Sequence, residues 1–315
     1  MFRRSFFMVF LLLSLCVTET VRAERYISPR SHSFEEQVWG AATLTELSAE
    51  SSFKTGGPAL IRELPAEAKP VAALPLWLEY AMPVPDTEED APMIAIVIDD
   101  LGLSRSATQA VLSLPPPITT SFLAYADDLQ RQADAAREKG HELLLHAPME
   151  PNNPEMDPGT NALRSDMSEE EISQKLSTML SSFTGYVGLN NHMGSMFTAN
   201  AKAMSVVIGE LKKRGLLFLD SLTAADSVAW KTARDQYVPY AVRNVFLDNS
   251  LNEADIMAQL SLLEKQALKH RAVVGIGHPH KITVKTLKKW IPAARQKGFV
   301  FVPVSTIALV RQDNF

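Results

Sequence analysis

Six places in the sequence put chemically useful side chains directly after, or at the end of, an apolar run. "IAIVIDD" ends in Asp99 and Asp100, and "HELLLHA" carries His146. "GYVGLNN" supplies Asn190 and Asn191 and runs into His192, and "LLFLD" ends at Asp220, with Ser221 next. "NVFLD" ends at Asp248, and "AVVGIGH" reaches His278, followed by Pro279 and His280. Asp and His are the ligands and proton carriers of metal-dependent hydrolysis. The adjacent pair is the sharpest of these signals. Two neighbouring carboxylates left unpaired repel each other, which raises one pKa. A divalent cation held by one of them removes the repulsion and lowers both pKa values. Spacing alone does not say which of the two is the ligand.

The elements that must position these side chains alternate in type. Short apolar runs at 93–98, 118–124, 141–147, 185–191, 216–220, 244–248, 272–278 and 299–304 are separated, for the most part, by helical patterns. The segment 168–183 opens with a capping box, Ser168 and Glu171. The segments 200–214 and 283–297 stop at Gly215 and Gly298, where helices commonly end. Alternation over about 220 residues predicts a parallel α/β sheet, doubly wound or closed into a barrel. No glycine-rich phosphate loop follows the first strand, which argues against a nucleotide-binding fold. A seven- or eight-stranded (β/α) barrel is the expectation. Its strand carboxyl ends all lie on one face, so the six sites above would share it.

Before residue 92 the texture differs. Arg3 and Arg4, an apolar stretch over 5–17 and the small-x-small site at Val21–Ala23 form the pattern of a secretory signal peptide, with cleavage after Ala23. The apolar stretch is short for a permanent span, so no stable membrane anchor is expected after cleavage. Residues 24–91 contain seven prolines among Ser, Glu and Ala and read as a linker or arm, with a short helix at 34–47. The apolar stretch 74–82, "LPLWLEYAM", suits docking on the domain or on a protein partner. Residues 92–315 form the barrel, in a periplasmic or secreted protein of bacterial type.

Composition narrows the function. The 315 residues are 46% hydrophobic and 21% charged, enough for a sizeable core. The one cysteine, Cys16, leaves with the signal, so the mature chain has neither disulfides nor cysteine metal sites. Removal of 1–23 takes away three arginines and one glutamate and moves the net charge from −5 to −7, which gives no support for nucleic-acid binding.

With these residues in view, the chain resembles the polysaccharide deacetylases, and its ordered set "IDD", "HAPMEP", "NNHMGS", "LDS" and "GHPH" is most similar to the divergent polysaccharide deacetylase family, over about residues 92–310. The resemblance implies a distorted (β/α) barrel and a divalent metal used to remove acetyl groups from N- or O-acetylated sugars. It implies that Asp99 is the base on water, Asp100 a ligand and His278 the catalytic acid. Two departures stand out. Glu150 occupies the place of a second metal histidine, and the Arg-Pro-Tyr segment has no evident counterpart, "NNHMGS" offering His192 in that region. The expected ligands are therefore Asp100, His146 and His192, with Glu150 a ligand or a support. Such ligands fit zinc and also admit Mn, Co, Ni or Fe. Asn190 and Asn191 would orient a sugar or hold ligands, and Asp220 would fix the tautomer of His278.

Other residues carry blander readings. Asp248 with Asn249 reads as turn chemistry and His280 as a solvated neighbour of His278. His32, His141 and His270 read as structural or surface residues. The basic run 285–290 reads as a solvated helix face. Two functions of different class follow: an exported metal-dependent hydrolase acting on acetylated envelope or extracellular glycans, including peptidoglycan, or a catalytically silent barrel that binds glycan or a peptidoglycan-handling partner. The missing Arg-Pro-Tyr segment and Glu150 favour the second; the set Asp99, Asp100, His192 and His278 favours the first.

Overall fold

The computed structural model describes residues 73–84, 88 and 90–312. The expected signal peptide and the helix at 34–47 lie outside the described residues, as does most of the 24–91 arm. Among the described residues no helix is long and apolar enough to cross a membrane.

Among the described residues nine strands form one wholly parallel sheet: β1 (Met93–Leu101), β2 (Thr119–Leu123), β3 (Glu142–Met149), β4 (Gly188–Met193), β5 (Leu217–Asp220), β6 (Tyr240–Val242), β7 (Val245–Phe246), β8 (Ala272–Gly277) and β9 (Val300–Phe301). Their spatial order is β6-β5-β4-β3-β2-β1-β8-β7, with β9 added beside the start of β1. The two ends of this path, β6 and β7, are separated in the chain only by Arg243 and Asn244. Arg243 N donates to Asp220 O on one side, and Asn244 N donates to Val274 O on the other. The sheet therefore curls round and is closed by the chain itself, not by a ladder, which is the distorted barrel expected from the sequence. The eight apolar runs correspond to eight of the strands; the three-residue β6 is the addition.

The helices are α1 (Leu76–Glu79), α2 (Arg105–Val111), α3 (Leu129–Glu138), α4 (Glu169–Leu180), α5 (Ala201–Lys213), α6 (Ala229–Asp235), α7 (Glu253–His270), α8 (Lys281–Gln296) and α9 (Val304–Gln312). The capping box of α4 forms as the sequence predicts, Ser168 accepting from Glu171 N while the Glu171 carboxylate accepts from Ser168 N. Packing helices against the sheet buries strand residues of both faces. Every residue of β3 is buried, and all of β1 except Asp100. The stretch 74–82 lies against the domain: Trp77 is buried, and its N–H donates to Gly215 O at 2.9 Å. His141 is a core residue, accepting from Ile118 N.

Candidate active site

The carboxyl ends of β1, β3, β4 and β8 bring the adjacent carboxylates and three histidines together. β1 does this by breaking its own regularity. Its register against β2 shifts between Ile98 and Leu101, and Asp100 takes a left-handed backbone with φ of 57°. Neighbours on a regular strand point to opposite faces; the bulge and the positive φ turn Asp99 and Asp100 toward the same place. Asp is one of the few residue types that adopts this conformation readily.

Three donor atoms converge there. Asp100 Oδ1 lies 2.8 Å from His192 Nδ1 and 3.2 Å from His146 Nε2, and the two ring nitrogens are 3.2 Å apart. Asp100 Oδ1 is buried, yet neither nitrogen is aligned to give it a hydrogen bond. A buried carboxylate oxygen facing two imidazole nitrogens at these distances is a cluster that could hold a metal ion. Ligands at about 2.0–2.1 Å in a tetrahedron stand roughly 3.3 Å from one another, close to the spacings found here. The donor set of one carboxylate and two imidazoles therefore fits a divalent cation.

Asp99 is 3% exposed and accepts from Asn190 Nδ2 at 2.9 Å, with its other oxygen 3.8 Å from His146 Nε2. Burial pushes the Asp99 carboxyl up, and the attraction of His146 and His278 offsets only part of this. Burial would also raise Asp100, but the two imidazoles against it prevail and hold its carboxyl far below the usual carboxylate range.

His278 follows β8 directly. Its Nδ1 is 2.9 Å from Asp248 Oδ1, and its Nε2 is 3.9 Å from Asp100 Oδ2. Burial alone would lower its pKa, but the Asp248 hydrogen bond and the charges of Asp99, Asp248 and Asp100 outweigh it and push the imidazole up to about 9. Phe246 packs edge-on against the ring at 5.4 Å.

Asp248 corrects two sequence expectations. It is not a turn residue: besides the His278 ring, it accepts from His278 N at 2.7 Å and Thr283 Oγ1 at 2.8 Å. Asp220, expected to orient His278, accepts instead from Leu222 N, Ser227 Oγ and Trp230 N, and so braces the loop after β5. Asp248, His278 and His280 also lie near enough to share an ion. Both oxygens of Asp248 already accept hydrogen bonds, however, and His280 is exposed, so this group is better read as a support for His278.

Glu150 stands apart from the three converging atoms. Its carboxylate accepts from Ser165 N at 2.7 Å and faces Arg164 at 3.3 Å, which anchors the loop after β3. Asn191 ties the ends of β4 and β5 together, donating to Met193 O and accepting from Ser221 N, and so is not directed at a sugar. Asn190 is fully buried among Asp99, Ser121, His146 and Ser221. Sequence reading also missed Arg243, whose guanidinium donates to Ser221 O and Leu222 O and feels the charges of Asp220 and Asp99. Its position after a three-residue strand gives no local signal.

A sequence model described as divergent polysaccharide deacetylase matches residues 96–308. YibQ, an uncharacterized protein of Escherichia coli, is 36% identical over 201 residues, which cover 64% of this chain and 63% of that protein, less than two thirds of its length. An uncharacterized protein of Haemophilus influenzae is 33% identical over 196 residues, covering 62% of this chain and 69% of its own. The crystal structure of an uncharacterized Agrobacterium tumefaciens protein superposes with a TM-score of 0.71 at 31% identity, over 75% of this chain and 100% of that one.

Proposed function

This chain belongs to the divergent polysaccharide deacetylase family, and from that premise we propose that it is an exported, metal-dependent hydrolase that removes acetyl groups from envelope or extracellular glycans such as peptidoglycan. The observation that carries the reading is the convergence of Asp100 Oδ1, His146 Nε2 and His192 Nδ1. Asp100, His146 and His192 are the proposed ligands, Asp99 the base and His278 the acid. Zinc suits the donor set, and Mn, Co, Ni or Fe are admitted by it. Residues 1–23 support export, and within residues 24–91 the part before the docked stretch 74–82 is the segment available to a protein partner.

When bound, the cation supplies Lewis acidity toward an acyl oxygen and toward water. The chain supplies proton handling and alignment. Asp99, with a carboxyl pushed up by burial, takes the proton of the water that attacks the acetyl carbonyl. His278, pushed up to about 9, is protonated at neutral pH and gives its Nε2 proton to the departing amine or alcohol. Asp248 keeps that ring turned with Nε2 toward the site by accepting from Nδ1. Hydrolysis then leaves acetate and a free amino or hydroxyl group on the sugar.

Metal content of the purified chain, beside Asp100→Ala and His192→Ala, tests the site. Near-stoichiometric metal is expected, lost in both variants. Asp99→Asn should keep the metal yet lose acetate release by about 10²–10⁴-fold. A folded chain that takes up no metal even on reconstitution overturns the reading. Bound metal without acetate release from any N- or O-acetylated glycan leaves the glycan-binding barrel as the better account.

A further inference from the structure

We infer that Asn190 is a positioning residue that couples the polarity of Asp99 to the tautomer of His146, so that one amide sets both the proposed base and a proposed metal ligand. The inference rests on the roles assigned to Asp99 and His146 above, but its geometry stands independently of them.

Asn190 lies on β4 directly opposite His146 on β3, and it has no solvent exposure. A primary amide has two donor hydrogens and a carbonyl oxygen with two lone pairs. All four are used. Asn190 Oδ1 accepts from Ser121 Oγ at 2.6 Å and faces His146 Nδ1 at 2.9 Å. Asn190 Nδ2 donates to Asp99 Oδ1 at 2.9 Å and to Ser221 Oγ at 3.1 Å.

The direction of this amide follows from chemistry. An ionised carboxylate only accepts hydrogen bonds, so the NH2 group must face Asp99. The carbonyl oxygen must then face His146 Nδ1. A carbonyl only accepts, so Nδ1 must carry the ring proton. In the neutral ring the remaining lone pair therefore sits on Nε2, the atom that lies 3.2 Å from both Asp100 Oδ1 and His192 Nδ1. A flipped amide would set its oxygen against the Asp99 carboxylate and its NH2 against the histidine nitrogen. With Asp99 and His146 3% and 1% exposed, water could relieve neither clash. The charge on Asp99 is thus read by the amide and delivered as a lone pair on His146. A hydrocarbon at 190 would fill the space but transmit nothing.

Two variants of the full-length chain test this. In Asn190→Leu the amide is gone. In the exchange Asp99→Asn with Asn190→Asp, the carboxylate introduced at 190 still accepts from His146 Nδ1 and finds a donor in the amide introduced at 99. Imidazole ¹⁵N shifts of His146 in the metal-free chain, recorded at a pH above the ring's titration, report the tautomer. Titration calorimetry with Zn²⁺ alone reports the affinity, and acetate release is measured alongside.

The wild-type ring is expected to carry its proton on Nδ1. Asn190→Leu should mix the tautomers and weaken Zn²⁺ binding by about 10–100-fold. The exchange should keep the Nδ1–H form and an affinity within about threefold of wild type, while losing acetate release because the base is missing. A wild-type His146 with its proton on Nε2 overturns the inference. So does unchanged tautomer and affinity in Asn190→Leu, or an exchange variant that keeps the tautomer but not the affinity. Should Asn190→Leu fail to fold, the wild-type tautomer and the exchange decide alone. Absence of acetate release from wild type would count against the hydrolase reading only, since neither shift nor affinity depends on turnover.

Discussion

His278 and Asp248 are 30 positions apart in sequence and 2.9 Å apart at the ring, and their coupling has a measurable titration. In the metal-free chain the His278 imidazole is pushed up to about 9 from its ordinary 6.5; burial opposes this, and the Asp248 hydrogen bond with the nearby carboxylate charges overrides it. Asp248 moves the other way: burial would raise it, but the bonds and charge from His278 hold it below 3.8. The signs give the pH window. A raised histidine contributes stability that is complete below its unfolded pKa near 6.5 and is lost as pH climbs through about 9. A lowered carboxylate contributes stability present above 3.8 and lost as pH falls through its folded value. The pair is therefore fully effective from about pH 4 to 6.5 and fades on either side. On the alkaline side the loss is on the order of 3 kcal/mol for Asp248, Asp99 and Asp100 acting together on His278, with the Asp248 hydrogen bond the largest single contribution. Asp248→Asn should bring His278 back toward 6.5, as followed by ring proton shifts. Urea denaturation in chelator should show wild type exceeding the variant at pH 6, with the gap shrinking by pH 9.5. A wild-type His278 titrating near 6.5, or a gap independent of pH, would remove Asp248 from its assigned place.

At the scale of elements, the site depends on how each strand ends, and the end of β1 gives a direct test. Gly102 follows Asp100 and Leu101 with φ of 106°, and a Cβ placed on it would lie 2.6 Å from the Cβ of Ala126. Gly102→Ala should cost about 1–3 kcal/mol in denaturation. Because this turn carries Asp100, Zn²⁺ affinity should fall with it, by about tenfold if Asp100 is a ligand. Unchanged affinity in a destabilised variant would separate the turn from the site. The same scale explains what could be read from the sequence. Apolar runs alternating with capped helices fix a parallel sheet, and in such a sheet every strand's carboxyl end shares one face, so Asp99, Asp100, His146, His192 and His278 were legible as neighbours. The partner of His278 was not. "LFLD" at 217–220 and "VFLD" at 245–248 are almost the same local sequence, each ending an apolar run in an aspartate. The choice between them is made by strand order: β7 pairs with β8 and aligns Phe246 with Ile276, and the same register two residues on sets Asp248 beside His278. β5 lies between β4 and β6, which gives Asp220 a loop to brace instead. Pairing order across a sheet is a long-range property, and a single strand's residues do not encode it.

For the molecule as a whole, the two ends of the barrel have separate work. The candidate site occupies the carboxyl ends of the strands, while the segment 74–82 closes the amino ends. Trp77 N donates to Gly215 O just before β5, and Arg137 donates to both Tyr80 O and Gly185 O before β4. Met82 N reaches the carboxylate of Glu142 at the start of β3. Glu142 is fully buried and also accepts from Thr119 Oγ1, Ser305 N and the Ser305 hydroxyl, so one carboxyl joins the entering segment, two strands and the first turn of α9. Burial pushes that carboxyl up, against the opposing pull of the Ser305, Met82 and Thr119 donors. Glu142 and His146 are four residues apart on one strand, roughly 13 Å at about 3.3 Å per residue, and the sheet between them is close-packed. Anchoring and chemistry should therefore separate under mutation. Trp77→Ala removes a side chain that is 3% exposed and should cost about 3–5 kcal/mol by urea denaturation. Zn²⁺ affinity in the folded variant should stay within about twofold, because sites this far apart with no shared partner behave nearly additively. A large loss of affinity in folded Trp77→Ala would mean that the closing segment and the site communicate through the sheet, and that the amino end of the barrel takes part in shaping the metal cluster.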